Sequence, residues 1–357
     1  MTVQTVLGPV AADRLGATLM HEHVFSDITC LFQAPAHATG RAQSEEPITL
    51  ENLGWIRRNY FSHRPNLLLD DLGTAAAELR LFKEWGGGTI VDVTPPGIGR
   101  DPLALARVAR ITGVNVVMCT GFYVESTHPP QVVSMDEGEL AAHMVSELRE
   151  GIVDVTPGAD DLMERRAPTG VRPGIIKVGC TWPVTAVERR VLHGAAAAQR
   201  ETGTAITVHT GRDERSPLEI LEILRDAGAD LSRVVLGHLD LRVQSVSILR
   251  ELAAAGVYLE WDMFGTESSF YPFTPFDMPS DGQRLDVVAG MLAEGHVERA
   301  LISHDICHRY RLTRYGGHGY KHILENVVPF MRKKGFAESD IETILYANPA
   351  RVLSAGP

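Results

Sequence analysis

Met20-His21-Glu22-His23-Val24 ends the first apolar run of the chain. In an extended strand alternate side chains share a face, so His21 and His23 point together while Glu22 points the opposite way. Two imidazoles on one face can grip one metal ion, although paired histidines also occur as ordinary polar strand ends. A glycine-rich phosphate loop after the first strand would announce an open, doubly wound sheet. His-Glu-His occupies that position instead.

Outward from this stretch, short β-rich runs alternate with helical spacing. Strands are expected at residues 17–23, 89–93, 114–119, 175–178, 205–209, 234–238, 257–261 and 300–303. Helical periodicity fills 70–85, 101–111, 135–149, 184–202, 217–227, 246–255 and 284–293, and residues 320–333 and a segment from Ser339 supply the last helices. Eight strands, each followed by a helix, predict an α/β fold, a single (β/α)8 TIM barrel over residues 1–357. Two insertions interrupt it. Residues 29–69, after strand one, have little regular patterning, and residues 151–173, before strand four, are rich in Pro, Gly and Asp.

The 357 residues are 44% hydrophobic, enough for a sizeable core. A net charge of -11 without any Lys/Arg run argues against a nucleic-acid partner. No apolar window reaches membrane-spanning length and the N-terminus lacks a signal-peptide pattern, so a cytoplasmic protein without membrane attachment is expected. Cys30, Cys119, Cys180 and Cys307 are scattered without a C-x-x-C pair, which favours reduced thiols over disulfides or a thiolate zinc site.

On a barrel, His21 and His23 end strand one, Lys177 sits on strand four, His209 and His238 end strands five and six, and Asp305 follows strand eight. All six then meet on the C-terminal face, where such barrels build active sites. Singly each has a plain structural explanation: a polar strand end, a snorkelling lysine, a helix N-cap. Together they suit zinc or a neighbouring divalent metal.

An ordered set of motifs carries a resemblance over nearly the whole chain: Gly8-Pro9-Val10, Met20-His21-Glu22-His23, Gly174-Ile175-Ile176-Lys177-Val178, Val208-His209-Thr210, Gly237-His238, Ser303-His304-Asp305 and Asn348-Pro349-Ala350-Arg351. In these the chain resembles the phosphotriesterase-related proteins of the phosphotriesterase family, amidohydrolase superfamily. The resemblance implies two divalent metals, Zn2+ or alternatively Mn2+ or Co2+. His21, His23 and Asp305 would hold the more buried one, and His209 and His238 the more exposed one. Lys177, carboxylated by CO2, would bridge both. It also implies attack by a metal-bridging hydroxide with Asp305 as proton acceptor, so Asp305 and Lys177 are the catalytic candidates. His304 is expected to point away from the metals, the other histidines to be mostly solvated or capping, and no cysteine to act as nucleophile.

Substrate choice is read from the loops. Met263 stands where relatives carry a polar His or Arg, and Leu241 follows Asp240 in place of a second acid, which puts the family's proton relay in doubt. Phe264, Phe270, Tyr271, Phe273 and Phe276, with Phe25, Tyr123 and Trp182, form an aromatic surround. Tyr123, Trp182, Met263 and Phe264 are the expected substrate contacts, and Arg309, Arg311 and Arg314 are further candidates for an anionic group. The expected activity is hydrolysis of small carboxylic esters or lactones, with organophosphate or phosphonate esters as side substrates. Three alternatives stay open: a dedicated phosphotriesterase (aryldialkylphosphatase-like) or sugar lactonase, a mononuclear deaminase or amide hydrolase that would not need Lys177, and a non-catalytic protein binding an apolar ligand. The pattern is compatible with a homodimer.

Overall fold

A computed structural model of the chain describes residues 1–153, 169–243, 245–268, 271 and 277–354. A β-hairpin, Thr2–Thr5 with Gly8–Ala11, precedes the barrel and is fastened to it by the Val6 N–H on the Val116 carbonyl. Eight parallel strands follow: β1 (Ala17–Glu22), β2 (Gly87–Asp92), β3 (Asn115–Phe122), β4 (Ile175–Gly179), β5 (Ile206–His209), β6 (Val234–Leu236), β7 (Tyr258–Trp261) and β8 (Ala300–Ile302). Each pairs with the next in sequence order. The seam between β8 and β1 is drawn together by the Asp305 N–H on the His21 carbonyl (3.0 Å) and the His21 N–H on Ser303 Oγ (3.0 Å). The eight-stranded sheet is thereby nearly closed into the expected barrel.

Two apolar layers hold it. Side chains facing inward, among them Met20, Val91, Val117, Ile175, Val235 and Leu301, fill the barrel's interior. Those facing outward, such as Leu19, Ile90, Val116 and Ile176, pack against the helices. The helices start where the sequence supplies caps. Asp101 accepts from the Ala104 N–H (2.8 Å) ahead of Pro102–Thr112, a helix that Gly113 ends in the left-handed conformation. Reciprocal capping boxes, Asp136 with Glu139 and Thr185 with Glu188, open Glu137–Glu150 and Ala186–Thr202.

Three expectations are corrected. Residues 29–69 contain helices Ala38–Gln43 and Leu50–Arg58, and Leu68–Leu69 pairs antiparallel with Ser26–Asp27. This short amphipathic order is stabilised by packing over the barrel mouth and leaves little periodicity to read. Strands β1 and β6 end at Glu22 and Leu236, before His23 and His238, because the backbone leaves the pleat to aim those side chains. The register of β1 against β2 also shifts between Leu19 and Glu22, so Met20 packs inward although His21, its neighbour, does too. Most of the 151–173 insertion, together with Phe270, Phe273 and Phe276, lies outside the described residues. Among those described, no helix is long and apolar enough to cross a membrane.

Candidate metal centre

Each ligand candidate sits at the C-terminal end of a strand or just past it, and the barrel's convergence brings all six together. His23 Nε2 and His21 Nε2 stand 3.1 and 3.8 Å from Asp305 Oδ1. Lys177 Nζ is 3.1 Å from His21 Nε2, and His238 Nε2 faces His209 Nδ1 at 2.5 Å. His21, His23 and Asp305 each offer a donor atom within 4.8 Å of the others. Imidazole nitrogens face to face, with a carboxylate and a buried amine beside them, are a donor set that a shared cation satisfies and that hydrogen bonding alone satisfies poorly.

The backbone is held in unusual conformations to achieve this. Among the described residues, His238 (φ 59°) and Asp305 (φ 52°) are the non-glycine residues in the left-handed region. Such geometry costs roughly 1–3 kcal/mol per residue and persists where surrounding bonds enforce it. For Asp305 they come from Glu22: its Oε1 accepts from Ser303 Oγ (2.9 Å), the His304 N–H (2.9 Å) and His304 Nδ1 (2.7 Å), and its Oε2 accepts from the Ile306 N–H (3.0 Å). Glu22 therefore clamps both flanks of Asp305 across the barrel seam. His304 points away from the donor cluster, as expected, its Nε2 accepting from the Ile323 N–H.

For His238 the anchor is Asp262, which accepts from its N–H (2.9 Å) and Nδ1 (2.7 Å) and also forms an ion pair with His21 Nδ1 at 2.8 Å. One carboxylate thus orients two rings so that both Nε2 atoms face the cluster. Thr94 Oγ1 does the same for His23 Nδ1 at 2.7 Å. Asp262 and Glu260 were not singled out in the sequence, yet a signal existed: Glu260 on β7 and Asp262 just past it alternate with Tyr258, a core residue, so both point into the barrel.

The electrostatics favour positive charge. Burial and Lys177 push the His21 imidazole down, but Asp262 and Glu260 outweigh them and raise it to about 10. Burial pushes Asp262 up, yet His238 and His21 hold it well below the usual carboxylate range. Asp305 is likewise kept ionised against its burial by His23, His21 and His238. Burial lowers Lys177, favouring its uncharged amine despite nearby Asp305. The field and the donor chemistry both fit a divalent cation.

The cluster floors a pocket of about 90 Å³, room for only a small substrate. Its walls are Ile28, Leu31, Ile98, Leu241 and Met263, with Tyr60, Phe61, Tyr123, Tyr271, Tyr310, Arg212 and His308. Of the expected substrate contacts, Tyr123 and Met263 line it, and the Tyr123 hydroxyl lies 3.3 Å from His209 Nε2. Phe264 does not: fully buried, it packs into the core between barrel and helices. Nor does Trp182, whose turn packs on Gly211 and whose ring lies outside beneath the Arg215 guanidinium.

The arginines of the strand-eight loop are also reassigned. Arg309 pairs with Asp70 (2.6 Å), Arg314 is exposed away from the pocket, and Arg311 donates to the Asp305, His304 and Phe264 carbonyls. His308, expected among the solvated histidines, is buried between the Tyr60 and Phe61 rings, and burial pushes it down to about 3. Asp240 accepts from Arg284 Nε (2.7 Å) and the Met263 N–H (3.0 Å). Both bonds fall on Asp240 Oδ2, and the residue that follows β7 beside it, Met263, is apolar. Burial raises the Cys180 and Cys307 thiols well above their ordinary range, consistent with inert packing.

Comparison with known proteins agrees with this geometry. The model of the phosphotriesterase family matches residues 1–353. An N-acetyltaurine hydrolase of Dictyostelium discoideum is 40% identical over 374 aligned positions, covering 99% of this chain and 97% of the relative. A phosphotriesterase-related protein of Nematostella vectensis is 42% identical, covering 97% and 96%. Among solved structures, a resiniferatoxin-binding protein from Rhodobacter sphaeroides superposes with a TM-score of 0.90 at 35% identity, covering 99% and 95%.

Proposed function

The chain belongs to the phosphotriesterase family and is a hydrolase of its metal-dependent kind, and from that premise we propose that it cleaves the amide bond of small N-acylated amines of the N-acetyltaurine type. The observation carrying this reading is the whole-chain likeness to N-acetyltaurine hydrolases, joined to a cluster of imidazoles, a carboxylate and a buried lysine at the strand ends.

In this reading His21, His23 and Asp305 would hold one divalent metal and His209 and His238 a second, with Lys177, carboxylated on its amine, as a further ligand. When bound, such metals polarise a carbonyl oxygen and lower the pKa of a water. The chain's own groups do the rest. Burial lowers the Lys177 ammonium's pKa, which favours reaction of its amine with CO2. Tyr123, beside His209, orients the acyl group. Asp305, ionised in the pocket floor, accepts the proton of the attacking water and returns it to the departing nitrogen. That return matters most for an amide, since an amine leaves poorly without a proton. With apolar Met263 in place of a basic relay residue, both transfers are assigned to Asp305.

Ester and lactone hydrolysis, with organophosphate esters as weaker substrates, is the second reading, favoured by the apolar walls at Ile28, Leu31, Ile98, Leu241 and Met263. The test is a panel of N-acetyltaurine, an alkyl ester, a lactone and a phosphotriester with metal-reconstituted protein, alongside elemental analysis of wild type and Lys177→Ala. Fastest turnover of the amide, with about two metals per chain and a clear loss in the variant, is expected. Ester or lactone turnover without amide turnover would overturn the amide reading. A single metal unaffected by Lys177→Ala would overturn the bridge and restore the mononuclear class. Bound metals with no turnover at all would leave the protein as a binder of apolar ligands.

A further inference from the structure

We propose that His308 Nε2 and Thr266 Oγ1 donate hydrogen bonds to an oxygen of the substrate outside the scissile bond, so that the pocket selects small acylated amines whose far end bears a sulfonate or hydroxyl over those that end in hydrocarbon. This rests on the hydrolase reading above and adds to it the polarity of the substrate's far end.

Both residues line the pocket, His308 from the loop after β8 and Thr266 from the loop after β7. His308 is only 5% exposed. Its Nε2 is enclosed and has no hydrogen-bond partner among the described residues, and the same holds for Thr266 Oγ1. A polar atom buried without a partner is destabilising, and native proteins keep few of them. Here both belong to one pocket, whose walls at Ile28, Leu31, Ile98, Leu241 and Met263 are apolar. An oxygen of a bound molecule supplies what the wall withholds.

The surroundings decide what His308 offers. Cys307 Sγ lies 3.2 Å from its Nδ1. A thiol is a weak acceptor and an imidazole nitrogen a good one, so the S–H donates and Nδ1 accepts, and the proton of the neutral ring then sits on Nε2. Burial, reinforced by Arg311, holds the ring neutral. Tyr60 and Phe61 stand nearly perpendicular to it, at 86° and 81° with centroids 5.1 and 5.0 Å away, and Tyr310 lies 6.0 Å off. Cys307 and these three rings line the pocket as well, so the imidazole is wedged within the wall. A ring face is at best a weak acceptor for its N–H.

Thr266 is fixed on the neighbouring loop. Its N–H donates to the Met263 carbonyl (3.0 Å) and its carbonyl accepts from Arg284 (2.8 Å), while the hydroxyl can rotate to follow a ligand. Arg311 ties the two loops together by donating to the Asp305 carbonyl of one (2.7 Å) and the Phe264 carbonyl of the other (3.2 Å). Such a site rejects an analogue without the oxygen, because that analogue leaves both donors unpaired when it binds.

The test compares N-acetyltaurine with N-neohexylacetamide, whose tert-butyl group has the shape of the sulfonate without its oxygens. The proteins are metal-loaded wild type, His308→Phe, His308→Gln and Thr266→Val. His308→Phe keeps a ring between Tyr60 and Phe61, Thr266→Val keeps the shape, and each loses one donor. The ratio of the two kcat/KM values is expected to fall about 10-fold in His308→Phe, through the KM of N-acetyltaurine, with partial rescue in His308→Gln, and about threefold in Thr266→Val. Ratios within about twofold of wild type in both His308→Phe and Thr266→Val would overturn the proposal. Should neither amide be turned over, the hydrolase reading has failed, and binding still decides the donors. In protein labelled with ¹⁵N-histidine, the resonance missing from His308→Phe should report a neutral ring protonated on Nε2. Butane-1-sulfonate should shift that resonance and bind His308→Phe about 10-fold more weakly than wild type by calorimetry. A ring protonated on Nδ1, or equal affinity for the two proteins, would overturn it.

Discussion

The floor and the rim of the pocket are built by opposite means. The floor is a set of strand ends whose side chains are each fixed by a buried partner: Asp262 for His21 and His238, Thr94 for His23, and Glu22 for the turn carrying Asp305. The rim is assembled from loops far apart in sequence, with Tyr60 and Phe61 from the first insertion, Arg212 from the loop after β5, and His308 and Tyr310 from that after β8. Its contacts are ring against ring, such as Tyr60 with His308 at 5.1 Å between centroids. A floor held by charge-assisted bonds tolerates little change, whereas a rim held by apolar packing can change its selectivity without losing the reaction.

The contrast can be broken or sharpened by substitution. Asp305→Asn keeps the shape but removes the proposed proton acceptor, and kcat is expected to fall about 100- to 10,000-fold. Steady-state kinetics with saturating metal measures this, and a loss under tenfold would assign the proton to another group. Asp262→Asn frees two rings at once, so metal affinity should drop about 10- to 100-fold in a competition titration against a chelator. Unchanged affinity would mean that the strands alone position the imidazoles.

Smaller effects are expected further from the donors. Glu22→Gln replaces an acceptor of four bonds by a group that must direct an N–H at one of its donors, costing about 1–3 kcal/mol. Thermal unfolding should show a Tm lower by a few degrees. At the rim, Tyr60→Phe removes one hydroxyl from a packed aromatic wall and should change KM by no more than a few-fold. A tenfold effect there would show that the rim, too, works through a specific hydrogen bond.

The sequence carried the floor far better than the rim. The six ligand candidates were legible because strand alternation and barrel convergence are periodic, local rules, and because the ordered motifs, from Met20-His21-Glu22-His23 to Ser303-His304-Asp305, lie on those strands. Glu22 was legible as a residue, but its role was not: reading it as facing away from His21 gave no hint that it reaches across the seam to residues some 280 positions on. Phe264 and Trp182 were misplaced for a related reason. Aromatic residues just past a strand are found equally in core and pocket, and only the packing of neighbouring segments, Gly211 against the Trp182 turn for example, selects between them. Arg311 belongs with them, since its guanidinium serves backbone carbonyls that no sequence pattern announces.

What the sequence determined by itself was the barrel, the family and the candidate donors that the strands bring together, because those rest on hydrophobic periodicity and on residue types at strand ends. What only the tertiary structure decided was which loops meet over the donor cluster: His308 enclosed by Tyr60 and Phe61, Asp240 bonded to Arg284, Arg212 lining the pocket. Such contacts are set by long-range packing and by competition for buried hydrogen bonds, and neither is encoded in the local run of residues that supplies the groups.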